Sequence, residues 1–182
     1  MAAAKRARDE SLFQRTVDVA IGARAGEQAL SAAKAWRSSW PKSRRAAEIQ
    51  AEIVMALGRP AEAAEPLRAM LDNLPEEERN ATIAALPRLV VAGQGKPAAA
   101  SVIDEVLKPW RSTASTRLSA TVATARSWGA VGETARALDG VREAQKLMPG
   151  NEAAALLALD LMAKEPTAEA AVTRYLEAQP AG

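Results

Sequence analysis

Apolar residues recur along most of the chain at the three- and four-residue spacing of an amphipathic helix. The stripes are clearest in two segments, which contain Ala63, Leu67, Met70, Leu71 and Leu74 in one and Ala137, Val141, Ala144 and Met148 in the other. Val, Ile and Thr dominate no window, and nowhere is there a sustained alternation of apolar and polar residues. The pattern therefore predicts helices and no strands.

A short phrase also returns at a fixed interval. "GRPAEAA" begins at Gly58, "GKPAAAS" begins at Gly95, and a third glycine, Gly132, lies another 37 residues on. Each of the three glycines is followed by an alanine after five residues and by an apolar residue after twelve. A proline lies 17 residues after both Gly58 and Gly132. The spacing indicates a structural repeat.

Each repeat unit is predicted to be a pair of helices, because a glycine in the left-handed conformation closes a first helix and a proline suits the start of a second. Ser, Thr, Asp and Asn at the expected starts predict N-caps at Asp9, Ser43, Thr113 and Asn151. The predicted antiparallel pairs are 10–22 with 26–39, 44–57 with 60–74, 78–93 with 97–108, 115–129 with 133–148, and 152–164 with 167–179. Pro66 and Pro87 lie inside periodic segments, so we expect a kink or a delayed helix there and the greatest irregularity in the third unit.

The composition agrees with an all-helical fold and excludes several classes of function. Alanine accounts for 44 of the 182 residues, and aromatic residues make up only 3%. The chain has no cysteine and no histidine, which excludes thiolate chemistry, disulfides and His-based metal sites or triads. With a net charge of only +2 and interspersed acids, we expect no general binding of nucleic acid. No apolar run is long enough to span a membrane.

Candidate sites each have a simpler structural interpretation. The four tryptophans fit gaps between alanine-rich helices better than a stacking platform. Asp104 and Glu105 point about 100° apart on a helix, so they cannot face one substrate as an acid/base pair. "GQGK" at 93–96 lacks the spacing of a phosphate loop and reads as a turn. The short basic clusters at 5–8 and 42–45 are typical of a solvated helix face. We therefore predict no enzymatic activity, no cofactor and no metal.

The repeat units resemble those of the tetratricopeptide repeat (TPR) family, in which each unit is a helix hairpin of about 34 residues. The matching residues are Ala51, Gly58, Ala63 and Pro75 in one unit, and Ala125, Trp128, Gly132, Ala137, Ala144 and Pro149 in another. The middle interval of 37 and the replacement of most large aromatics by Leu or Ala depart from the pattern. The resemblance implies a right-handed α-solenoid of about five antiparallel helix hairpins, forming a single TPR-like domain over 1–182. Its units are 10–41, 44–75, 78–111, 115–149 and 152–180.

In that family the first helix of each hairpin lines a concave groove. The resemblance therefore implies a groove-facing set of Asp18, Arg45, Glu48, Glu52, Met55, Leu89, Arg126 and Asp160. A mixed charged surface with apolar spots suits a peptide or helical segment of another protein. The expected function is a protein–protein interaction scaffold.

The alternative is a self-associating regulatory or assembly module that forms a homodimer through exposed hairpin ends. The chain also resembles a segment of the long alanine-rich TPR proteins of Gram-negative bacteria. That resemblance implies a fragment or module of a larger envelope-associated protein, which would be periplasmic if exported and cytoplasmic otherwise. The basic start lacks the apolar stretch of a signal peptide.

Overall fold

A computed structural model describes the backbone of residues 2–179 and the side chains of residues 10–179. All regular structure in that part of the chain is helical, so the predicted all-α class is confirmed. The α-helices are α1 (Ala2–Gly22), α2 (Gly26–Ser39), α3 (Arg44–Ala56), α4 (Ala64–Asp72), α5 (Glu76–Ala85), α6 (Arg88–Ala92), α7 (Pro97–Ser112), α8 (Arg117–Ala130), α9 (Thr134–Leu147), α10 (Glu152–Met162) and α11 (Glu169–Glu177). Short 3-10 turns, Pro60–Ala63 and Pro166–Ala168, lead into α4 and α11.

Glycine ends two of the helices in the way the sequence predicts. Gly58 and Gly132 have φ values of 71° and 80°, in the left-handed region that residues with a Cβ avoid. The Gly58 N–H donates to the carbonyl of Met55 at 3.0 Å, and the next N–H donates to the carbonyl of Val54 at 2.9 Å. The same pair of bonds forms at Gly132. This is the Schellman arrangement, which pairs carbonyls that the helix end leaves without partners.

Non-glycine residues take the same conformation at two other turns. Arg24 has φ 56° and closes α1 with the same pair of bonds. Gln94 has φ 63° and is followed by Gly95 with φ 62°, so the third turn contains two left-handed residues in succession. As a result, α7 begins three residues after the left-handed Gln94. The 3-10 turn before α4 and helix α9 each begin two residues after their left-handed glycine.

Prolines explain some of the differences between predicted and observed helix bounds. Pro87 separates α5 from α6, so the predicted helix 78–93 is broken and the third unit is irregular, as expected. The segment at Pro66 starts as a 3-10 turn, and α4 itself begins only at Ala64. Pro66 therefore lies in the first turn of α4, where the backbone N–H that proline lacks would have no partner within the helix. The predicted end at residue 108 is wrong, since α7 continues through Pro109 to Ser112.

Two of the four predicted N-caps are confirmed. The side-chain oxygens of Ser43 and Asn151 accept hydrogen bonds from backbone N–H groups three residues on, at 3.3 and 2.9 Å. The predicted caps at Asp9 and Thr113 are wrong, because α1 already begins at Ala2 and α8 begins only at Arg117.

The chain divides into two compact units. The N-terminal unit comprises the chain up to Pro75 together with Ala92–Gln94, and the C-terminal unit comprises Glu76–Val91 and the chain from Gly95 onward. In the N-terminal unit each helix from α1 to α4 packs against the next. Its interior includes Val17, Trp36, Val54, Met55, Leu67 and Leu71, interleaved with fully buried alanines.

In the C-terminal unit consecutive helices from α7 to α11 pack on one another, and α8 also contacts α5 and α10. The α8–α9 crossing is the tightest, because a Cβ added to Gly140 would lie 2.6 Å from the Cβ of Ala125. Ala137 and Ala144, both fully buried, lie on the same helix as Gly140. Small residues therefore let the two backbones approach closely, as the alanine-rich sequence predicts.

Candidate functional site

The exposed face of α8 forms the floor of a groove within the C-terminal unit. Helices α5 and α6 lie on one side of this face and α10 on the other. A cavity of about 520 Å³ lies at the C-terminal half of α8, and its lining residues are Ala84, Ala85, Pro87, Arg88, Val91, Arg126, Gly129, Ala130, Thr134, Leu157, Asp160, Leu161 and Lys164.

A second cavity, of about 300 Å³, lies at the N-terminal half of α8. Its lining residues are Asn80, Ala84, Ser115, Leu118, Ser119, Val122, Ala123, Arg126, Asn151 and Ala153. Because Ala84 and Arg126 line both cavities, the two form one surface along the helix. We call the residues of both cavities the α8 groove.

The repeat register places charged residues in this groove. Arg126 lies six residues before the left-handed Gly132, and Arg88 lies six residues before the left-handed Gln94. Both arginines line the larger cavity, where Asp160 of α10 and Lys164, just beyond the end of α10, join them. Two arginines that precede a left-handed residue by the same number of positions thus line the same cavity.

Three of the groove's charges have no partner among the residues that the structure describes. Arg126, Asp160 and Lys164 form no hydrogen bond or ion pair there, although the last two are four residues apart on adjoining turns. Arg126 and Asp160 are exposed, whereas Leu157 and Leu161 of the same cavity are only 8% and 6% exposed. The groove therefore combines apolar walls with charged side chains that are available to a partner.

Leu89, which was expected in the groove, is instead buried at 4% exposure. The prediction counted the register from Gly95, but the left-handed turn begins one residue earlier, at Gln94. The shift moves the groove-facing position of this unit from Leu89 to Arg88. Pro87 contributes as well, since it breaks the helix just before that position. In the sequence, the one sign of this one-residue shift in register is the pair Gln94–Gly95, whose two residues are both left-handed.

Met55 is also wrongly placed by the prediction, because its side chain is fully buried. It lies on α3, which packs against both α2 and α4 and is buried over most of its length. Met55 therefore lies on a buried side of α3, whereas Arg45 of the same helix is exposed.

The other predicted residues of the N-terminal unit do not converge on one site. Asp18 is exposed on α1, and Arg45 donates to Glu48 on α3 at 3.0 Å. Glu52 lines a small, mostly apolar cavity of about 270 Å³ beside Ile21. Of the expected set, Arg126 and Asp160 line the α8 groove, and the prediction did not include Arg88, Val91 and Lys164 of that groove.

The tryptophans have structural roles. Trp36 and Trp128 are 1% and 7% exposed, and their indole N–H groups donate to Glu10 and Asp104, both at 3.1 Å. Asp104 also accepts from Arg111 at 2.5 Å. The Asp104 carboxylate is thus used within the fold rather than presented to a substrate. "GQGK" forms the third interhelical turn, as its composition predicts.

The described residues contain no group of three Asp or Glu side chains arranged to hold a metal ion. Within the same range, no helix combines the length and apolarity needed to cross a membrane. Comparison of the chain with protein-family models, with curated proteins and with solved structures gave no match.

Proposed function

We propose that this chain is a non-enzymatic protein-binding module that takes a segment of another protein into the α8 groove. The observation that carries the proposal is Arg126, an exposed cation with no polar partner among the described residues, at the junction of two adjoining cavities. A site lined by apolar side chains with a few free charges is suited to a protein segment, because burial supplies affinity and the charges supply orientation.

We further propose that the helices belong to a right-handed, TPR-like solenoid of about five hairpins. Three features support it: the Schellman turns at Arg24, Gly58 and Gly132, the packing of α8 against α10, and that of α9 against α11. Repeated turns followed by equivalent helix contacts are what a solenoid requires.

The groove is tested by selecting binders from a display library of random 16-residue peptides against the purified chain. Selected peptides are then titrated by fluorescence anisotropy against Arg126→Glu and against Arg15→Glu. The second variant makes the same charge change at an exposed residue of α1 that lines neither cavity of the groove. We expect Arg126→Glu to weaken binding by about tenfold or more and Arg15→Glu to leave binding unchanged. A failure to enrich any peptide, or equal binding by both variants, would refute the groove as the site.

Self-association is the second candidate, because α1 exposes Leu12 and Val19 at 57% and 72%. These residues are seven apart, and so lie on one face of the helix two turns apart. If this face joins two copies, light scattering across a dilution series will show a mass that rises with concentration, and Leu12→Gln combined with Val19→Gln will abolish the rise. A constant monomer mass would exclude it.

A further inference from the structure

The two halves of the α8 groove differ in chemistry. The smaller cavity is lined by apolar residues, among them Leu118, Val122 and Ala153, together with neutral polar side chains, and Arg126 at its junction with the larger cavity is the one charged residue of its described lining. The larger cavity collects Arg88, Arg126 and Lys164 against a single carboxylate, Asp160. One half therefore favours apolar side chains. The other half favours carboxylates, because two cations without a partner among the described residues, Arg126 and Lys164, lie there with one carboxylate.

The spacing of these halves is set by α8 itself. Leu118, Val122 and Arg126 follow one another at four-residue intervals, so they form a single row along the helix. At 1.5 Å per residue, the row from Leu118 to Arg126 is about 12 Å long. A partner that lies along this row must present its apolar and acidic side chains about two helical turns apart.

Hydrogen bonding decides between a helical and an extended partner. An extended peptide needs groups in the groove to pair with its backbone, as a sheet edge provides in other recognition modes. The described part of the chain has no strand, and both side-chain amides that line the groove, Asn80 and Asn151, already have polar partners. Asn151 accepts from the Ala154 N–H at 2.9 Å. Asn80 donates to the carbonyl of Ser115 at 3.0 Å and accepts from the hydroxyl of Ser119 at 2.5 Å. A helix satisfies its own backbone and needs no such groups.

We propose that the α8 groove binds an acidic amphipathic helix. Its apolar residues occupy the half formed by Leu118 and Val122, and its carboxylates, about two turns away, contact Arg126 and Lys164. This inference rests on the proposed function and specifies the kind of segment bound.

The test uses two display libraries of 18-residue peptides with blocked termini, so that no terminal carboxylate takes part. One library has an amphipathic helical pattern with its polar positions randomised, and the other has the same positions interrupted by two central prolines. We expect binders from the helical library, enriched in Glu and Asp two turns from the apolar residues. Their affinity should fall about tenfold or more with Arg126→Glu and stay within about threefold with Arg126→Lys and with Arg15→Glu.

The apolar half is tested with Leu118→Asp, which should also weaken binding about tenfold. Its helical circular dichroism and melting temperature show whether the variant remains folded. If it does not, the apolar residues enriched in the selected peptides report on this half instead. Binders that are basic, or that come equally from the proline library while still depending on Arg126, would overturn this inference and leave the proposed function standing. No binder from either library, nor from random peptides, would overturn both.

Discussion

Five residues with positive φ lie at four turns that follow helices, and only two of those turns close on glycine alone. Gly58 and Gly132 were recognisable because glycine adopts this conformation without steric cost. Arg24 and Gln94 adopt it against a cost of about 1 kcal/mol, which the surrounding helix packing must offset. Local sequence cannot reveal such positions, because the preference of the residue itself points elsewhere.

The cost of the left-handed conformation can be isolated with a matched pair of glycines. A Cβ added at Gly132 or at Gly22 would meet nothing within 4 Å, but only Gly132 has a positive φ. We expect Gly132→Ala to lower the free energy of unfolding by about 1 kcal/mol, purely through backbone strain. Gly22→Ala should be neutral or stabilise by about 0.5 kcal/mol, because alanine restricts the unfolded chain. Urea denaturation measures both, and equal effects would contradict the strain explanation.

At the scale of the helix, periodicity predicted most elements well and failed where prolines or packing intervened. The bounds of α2 match the prediction residue for residue, and those of α9 within one. Met55 is buried because α3 packs between its neighbours α2 and α4, and that contact could not be read from the pattern of α3 alone. For the groove, the repeat register predicted Arg126 and Asp160. It predicted Leu89 in place of Arg88, because the left-handed turn of that unit begins at Gln94, one residue earlier than expected.

The helix register can be tested with two residues on α8 and α9. Ala137 is fully buried on α9, so Ala137→Leu adds three carbons to a closed contact and should cost about 1–3 kcal/mol. Arg126 is exposed and unpaired among the described residues, so Arg126→Ala should change stability by no more than about 0.5 kcal/mol. Thermal melts decide. If Arg126→Ala unfolds early while Ala137→Leu melts like the parent, Arg126 is not a free groove residue.

A second element-scale prediction concerns Arg37, which links three helices of the N-terminal unit. Its guanidinium donates to Gln50 on α3 at 3.1 Å and forms a bidentate pair with Glu65 on α4. The hydrogen bonds from Arg37 lower the pKa of Glu65 below its usual value of 4.5. A lowered carboxyl pKa stabilises the fold above about pH 4.5, and this contribution is lost as pH falls through the folded-state pKa.

We therefore expect Glu65→Gln to reduce stability by about 0.5 kcal/mol at pH 7, a small effect because Glu65 is largely exposed. The difference from the parent should shrink as the pH falls below 4.5 and Glu65 becomes protonated. Glu169→Gln is the control, since Glu169 is exposed on α11 and forms no ion pair or hydrogen bond among the described residues. Urea midpoints measured from pH 3 to 7 test this, and a constant difference for Glu65→Gln would refute the ion pair as its cause.

At the scale of the whole molecule, charge is nearly balanced overall but uneven locally. The net charge of +2 arises from 24 basic and 22 acidic residues, yet the larger cavity of the α8 groove alone contains three cations and one anion. This local excess is one feature that could attract a polyanion. The strength of that attraction depends on how many phosphates the three cations of the cavity can neutralise.

Three phosphate contacts imply that binding to single-stranded DNA falls by about the second power of salt concentration. We therefore expect a dissociation constant no tighter than about 10 μM at 50 mM NaCl, and binding at least about ninefold weaker at 150 mM, a range typical of non-specific contacts. Anisotropy of a labelled random oligonucleotide measures this, with Arg126→Glu to show whether the groove is responsible. Submicromolar binding at 150 mM NaCl would need more phosphate contacts than this groove provides, and would make nucleic acid rather than protein the better candidate partner.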